Sequence, residues 1–426
     1  MDELIRDRMH EALEVEPPPF GLRARVIGSI PMDERSAQPP RRRSFQWVGQ
    51  WAPSLVAILL AVAIIASFLY LRGAVIIPSH HAGPRAAPTV RVMAPDGVLV
   101  TSDGTVFFSD YLSGYVFRLT SKGSLVIIAG RPQAAMLSEG SAGDNGPATG
   151  AYLFGPAGLA ADRNGNLFVA DVVGERIRRI DQRGVITTIA GSGRADMPSP
   201  NFSGDGGPAT TATLNHPVGL AFDSAGSLYI GDSGNHRIRR IDTNGTITSI
   251  NLSSWSKSNV WSPRGLAFDK AGALYVADYF DCQIVRISAS SVVSIVAGTG
   301  TCGYAGDGGP AASAQLDGPS GITFDSAGAL YIADTNNHRI RRVDAHGVVT
   351  TVAGTGALGY GGDGGQATTA ETGYPNDVVV SPFGQLYIAE STCSCVAPTS
   401  AGRLRMVRLS SGTITTVAYS DSIITW

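Results

Sequence analysis

Cysteine is scarce in this chain: Cys282, Cys302, Cys393 and Cys395 are the only four in 426 residues. That is too few for a disulfide-built scaffold. Charged residues are also sparse, at 16% of the chain, and the formal net charge is −2. A chain so nearly neutral has no global field to recruit nucleic acid or acidic partners. The G-x-S-x-G, HExxH and P-loop signatures are missing, so no residue is assigned a catalytic role.

Glycine, by contrast, is abundant, with 52 residues. Many glycines and few charges indicate many tight turns and hence an all-β fold. One long apolar run interrupts this pattern. Ala52–Leu71, APSLVAILLAVAIIASFLYL, carries no charge over 20 residues. As a helix it would span about 30 Å, the thickness of a bilayer core. Trp47 and Trp51 stand at one end of it and Tyr70 at the other, as interfacial aromatics do. The segment begins too far from Met1 and is too long for a cleaved signal peptide.

Four parts are expected. Residues 1–46 form a cytoplasmic tail, in which DELIRDRMHEALEV has the pattern of a short amphipathic helix stopped by EPPPF. Residues 47–72 form a single transmembrane segment. Residues 73–89 form a Pro/Gly/His tether, and 90–426 a folded domain. Arg41, Arg42 and Arg43 cluster before the span, whereas Arg72, Arg85 and Arg91 are dispersed after it. The positive-inside bias therefore places the folded domain outside the cytoplasm. The tail could engage a cytoplasmic regulator.

From Val90 onward the sequence repeats. GPSGITFDSAGALYIADTNNHRIRRVDAHGVVTTVAG (318–354) aligns with HPVGLAFDSAGSLYIGDSGNHRIRRIDTNGTITSI (216–250), and similar copies begin near 155 and 262. Weaker copies begin near 94 and 374. Each copy reads as four short strands separated by glycine-containing or polar turns, the pattern of a propeller blade. Six copies make a six-bladed ring. An acidic residue ends the second strand of each: Asp110, Asp171, Asp232, Asp278, Asp334 and Glu390. Their spacings are 61, 61, 46, 56 and 56. The short interval is the link from the third to the fourth copy. It lacks the GDGG-type loop found at 143–148, 204–209, 306–311 and 362–367 and carries NLSSWSKSNVWSP instead.

GDSGNHRIRRI (231–241) and ADTNNHRIRRV (333–343) resemble the signature of the NHL repeat family. The resemblance covers about three-quarters of the chain and is similar in kind to teneurin NHL repeats and to those of bacterial surface proteins. It implies an NHL-type six-bladed β-propeller, here preceded by a single transmembrane helix. The family's functions include RNA binding, sensing, adhesion and an amidating lyase, so the fold does not name the activity.

The repeated Asp–His–Arg motif reads as scaffold, since a position shared by every blade is explained by the repeat. The second-strand carboxylates lie too far from the axis to share one ion. His236 and His338 occupy equivalent positions, and only His216 and His346 remain in the repeats, so a three-histidine zinc site is hard to assemble. The RIRR runs sit between aspartates, which argues against nucleic acid. A GDGG loop supplies one carboxylate, whereas Ca²⁺ takes about six to eight oxygens. No cofactor is expected, with calcium and zinc left open.

Function is sought where the blades differ. The middle residue of each P-x-G should line one mouth of the central channel: Asp96, Ala157, Val218, Arg264, Ser320 and Asn376, with Asp377 in place of the last glycine. Asp96, Arg264, Ser320, Asn376 and Asp377 form one candidate ligand site, and Trp255 and Trp261 of the atypical link form another, expected on the same face. Cys282 and Cys302 are expected to pair, since their connections share a propeller face. Cys393 and Cys395 either form a second bridge or stay free. The expected function is a membrane-anchored, extracytoplasmic binding, adhesion, sensing or scaffold module on a bacterial surface. Its ligand would be a protein or saccharide on the propeller face, with no nucleic acid. The alternative is a propeller lyase or hydrolase with its site at the channel mouth.

Overall fold

Each repeat offers a five- or six-residue run rich in Val, Ile and aromatics, closed at both ends by Gly-containing turns, and such runs pair as β-hairpins. The computed structural model describes residues 90–131, 143–193, 202–250, 261–392, 402–420, 422 and 424–425, all within one compact unit, Ala86–Trp426. The tail, the Ala52–Leu71 run, the tether, Trp255, Cys393 and Cys395 lie outside these residues. Among the described residues no helix is long and apolar enough to cross a membrane.

Six antiparallel sheets follow one another, each with its four strands in sequence order from the axis outward. Their first strands are Pro95–Val100, Pro156–Ala161, Pro217–Phe222, Pro263–Phe268, Pro319–Phe324 and Tyr374–Val380. Each first strand packs against the first strand of the next blade, and the sixth packs against the first, so the sheets form a closed six-bladed propeller.

Six apolar clusters among the described residues each join two consecutive blades. One unites Phe168 and Ile177 of blade 2 with Leu228, Ile230 and Ile247 of blade 3. Edge-to-face aromatic pairs span neighbouring blades in the same way: Phe168–Phe222, Tyr229–Phe268 and Tyr275–Phe324. Burial is thus shared between blades, and a single blade would leave its apolar faces wet.

Blade 6 is tied to blade 1 at two radii. Near the axis, Val98 N–H donates to Asp377 Oδ2 at 2.9 Å across 279 residues. At the rim, Ile424–Thr425 pairs in parallel with Leu125–Val126 and adds a fifth strand to blade 1. The inner ring is tight enough to demand glycine: a Cβ on Gly219 would lie 1.8 Å from the Arg264 carbonyl oxygen.

The GDGG loops wedge between blades. Gly130 N–H donates to Ala148 O, and Ala148 N–H donates to Gly184 O of the following blade. Each loop ends in a three-residue 3-10 turn, such as Ala148–Gly150 or Ala311–Ser313, whose first alanine is buried. Pro147, Pro208 and Pro310 precede the turn rather than occupy its first position.

Candidate functional site

The motif that looks most like chemistry is a structural clamp. Arg341, third residue of the strand Arg339–Val343, is fully buried between two carboxylates. Its guanidinium lies 2.7 Å from Asp307 of the GDGG loop and 3.1 Å from Asp334 at the end of the second strand. Arg239 pairs likewise with Asp205 and Asp232, Arg178 with Asp144 and Asp171, and Arg405 with Asp363 and Glu390. These arginines therefore offer no basic surface. Burial pushes Asp334 up to about 6 and Glu390 to about 7, against the lowering effect of backbone N–H donors and the arginines. At the GDGG end, bonds from Thr351, Arg341 and Tyr304 hold Asp307 below the usual carboxylate range, although burial opposes them.

Blades 1 and 4 lack the clamp. Phe117 and Val285 stand where the arginine would be, and the links leading into these two blades carry no GDGG loop. Asp278 of blade 4 is consequently a buried carboxylate with no arginine, and its Oδ2 meets no donor. Burial and the neighbouring Asp281 charge raise it to about 6. The joint loss of arginine and loop aspartate in the same blades is a signal that comparison of the repeats could have detected.

The residue after the polar turn is left-handed in four blades: Glu175, His236, Cys282 and His338, with φ between 50° and 55°. His236 Nδ1–H donates to the Trp261 carbonyl at 2.7 Å, and His338 Nδ1–H donates to that of Gly373 at 2.8 Å. Each histidine braces one blade against the start of the next. In blade 4 the same position holds Cys282, which is disulfide-bonded to Cys302 with a Cα–Cα distance of 5.3 Å. Among the described residues, Cys282, Cys302 and Asp317 are the side chains clustered closely enough to hold a metal ion. Both sulfurs belong to the disulfide, so no thiolate is left to bind one.

The second tryptophan of the atypical link is also scaffold. Trp261 is 4% exposed and packs with Ile238, Leu266 and Val276 in the cluster between blades 3 and 4. This corrects its candidacy as a ligand anchor: a side chain filling that seam has no face left for a partner.

The channel mouth is different. Asp96, Arg264, Ser320, Asn376 and Asp377 all line one central cavity of about 300 Å³. A β-bulge aims them there. In blade 4 the ladder steps from Pro263↔Asp278 to Leu266↔Val276, which leaves Arg264 and Gly265 outside the register, and blades 1 and 5 do the same. Bulges re-aim side chains in this way. In blade 6 the step comes one residue earlier, between Pro375 and Asp377.

One wall of the mouth is rich in acceptors. Asn376 Nδ2 donates to Ser391 Oγ at 2.9 Å and weakly to Asp96 Oδ2 at 3.3 Å. Burial raises Asp96 to about 6, with the Arg264 charge opposing. Burial raises Asp377 to about 7, against N–H bonds from Val98 and Val378 and with the Asp96 charge adding to the rise. Across the channel, Arg264 stacks its guanidinium 3.9 Å above the Tyr279 ring. Val218 closes the blade 3 side with an apolar surface. Sequence comparison of the blades found the five lining residues but missed Tyr279, which immediately follows the second-strand Asp278 and holds the arginine in place.

The family model for the teneurin NHL domain matches residues 118–203, 192–257 and 293–361. Human Teneurin-4 is 31% identical over 284 residues, covering 56% of this chain and 10% of its own length. Teneurin-3 of Danio rerio is 28% identical over 314 residues, covering 67% of this chain and 10% of its own. The chain thus spans about a tenth of the length of these curated relatives. Among solved structures, an auxiliary nutrient binding protein from Bacteroides thetaiotaomicron superposes with a TM-score of 0.51 at 15% identity, over 70% of this chain and 67% of that one. At that identity the likeness concerns the fold alone. The teneurin NHL match, the six-bladed ring and the NHRIRR turns together show that the propeller of this chain is of the NHL repeat family.

Proposed function

We propose that this chain is a membrane-anchored binding protein whose propeller stands outside the cytoplasm and takes its ligand at the polar channel mouth. The observation that carries this reading is the broken symmetry of the mouth. Polar side chains from blades 4, 5, 6 and 1 converge on one cavity, while blade 3 offers Val218 and blade 2 has the buried Ala157 at the equivalent position. Scaffold demands are the same in every blade and do not call for such a difference. Anchoring rests on the uncharged Ala52–Leu71 run, and orientation on the Arg41–Arg43 cluster.

Two experiments test the proposal. Protease added to spheroplasts should remove the propeller; its protection, with digestion of the tail instead, reverses the topology. In pull-downs from envelope extracts, Arg264→Ala should lose partners without lowering the melting temperature, and unchanged capture would sink the mouth as the binding surface. Trp255→Ala probes the atypical link in the same assay.

A second reading has one observation in its favour. Asp96 and Asp377 titrate near neutrality, the range in which a carboxyl group can give and take a proton. An extracytoplasmic lyase or hydrolase would use them so. Its mark would be a turnover lost in Asp377→Asn while ligand binding persists.

A further inference from the structure

Arg264 stands apart from the arginines of the clamps. Those are buried between paired carboxylates, whereas Arg264 is partly buried in the cavity wall and makes no hydrogen bond or ion pair among the described residues. Stacking on Tyr279 fixes the plane of the guanidinium while leaving its edge donors unspent. A planar fork held in this way is suited to a carboxylate, which it can engage with two parallel bonds. Asp96 attracts it across the channel without pairing with it.

The facing wall asks for the opposite chemistry. Asp96, Asn376, Asp377 and Ser320 present acceptors and few donors. An ammonium group would need charged partners there, but burial favours the protonated carboxyls. Hydroxyls fit both states, because they donate to a carboxylate and accept from a carboxyl. Val218 and Leu220 supply an apolar strip between the two ends. A cavity of about 300 Å³ lies at the lower limit of small-molecule sites, about 300–1,000 Å³, and suits one ring-sized unit.

We propose that the channel mouth binds an acidic sugar unit, a uronate, with its carboxylate on Arg264 and its hydroxyls on Asp96 and Asn376. This rests on the reading of the mouth as the binding site and adds the class of ligand. Neighbouring Tyr111 senses the charges of both Asp96 and Arg264, which places a further hydroxyl near the same mouth.

The test is equilibrium titration of the full chain with galacturonate and glucuronate, against galactose, glucose and glucose 6-phosphate. Uronates should bind roughly tenfold or more tightly than the neutral sugars, as loss of one charge-assisted contact implies. Arg264→Gln should abolish that preference at an unchanged melting temperature. Arg264→Lys, which keeps the charge but loses the fork, should retain part of it. Asp96→Asn should weaken all the sugars while preserving the preference. The proposal is overturned if uronates bind no better than neutral sugars, if glucose 6-phosphate binds more tightly, or if Arg264→Gln keeps the preference. If the uronate preference is missing while Arg264→Ala still loses its envelope partner, the mouth remains the binding site and only the acidic sugar falls. If both fail, both readings fall.

Discussion

Arg341 and Asp307 lie 34 residues apart in the chain, yet their side chains meet at 2.7 Å. The arginine is wholly buried and the aspartate about one-third exposed. The contact pins a loop that leaves blade 4 onto the third strand of blade 5, and equivalent contacts recur before blades 2, 3 and 6.

Removing the buried member of this clamp should be expensive. Arg341→Ala strands Asp334 as an uncompensated buried carboxylate, and breaking a buried pair costs about 3–5 kcal/mol. Asp334→Ala should cost a similar amount. Asp307→Ala should cost markedly less, because water reaches that carboxylate. Calorimetry on the three variants orders them, and equal losses would mean that Asp307 and Asp334 share the arginine evenly.

Asp278 gives blade 4, one of the two that lack the clamp, a pH signature. Its folded pKa is raised from 3.8 to about 6, so the folded state holds its proton more tightly than the unfolded one. The stability this contributes is complete below about pH 4 and is lost as pH rises through about 6. Asp278→Asn, whose amide can donate to Asp281, should therefore raise the melting temperature at pH 8 and change it little at pH 4. The shift corresponds to about 3 kcal/mol at most. An equal effect at both pH values would assign the gain to packing instead.

Two glycines should respond very differently to alanine. Gly219→Ala drives a methyl group into the Arg264 carbonyl at the inner ring and should prevent closure, read as insoluble protein or a loss of several kcal/mol. Gly245 has positive φ but open space around it, so Gly245→Ala should cost only about 1–2 kcal/mol. Similar melting temperatures for the two would show that the inner ring can spread.

The Cys282–Cys302 bridge closes a separation of 20 residues, for which chain entropy suggests about 3 kcal/mol. Reductant should lower the melting temperature, and Cys282→Ser with Cys302→Ser should reproduce the drop and abolish the response. The comparison belongs in a Cys393→Ser, Cys395→Ser background, so that only this bridge is read. Persistent sensitivity to reductant in the fourfold variant would place the effect elsewhere.

The sequence alone determined the architecture. Strand runs, Gly turns and a repeat of about 46 to 61 residues are local features, and six copies of one unit leave little choice of topology. Comparing blades also found the polar mouth, because departures from a repeat are visible without coordinates. What tertiary structure decided is which similar residues do different work. Arg264 and Arg341 are the same residue type. One is buried between carboxylates that stand 34 and seven residues before it in the chain; the other is turned into the channel by a bulge and stacked on Tyr279. Trp261 is likewise assigned to a seam between blades. Ring closure also waited on the fold, because Val98 and Asp377 meet only when six blades have completed the circle. Burial and pairing are set by neighbours distant in sequence, and no local pattern encodes those distances.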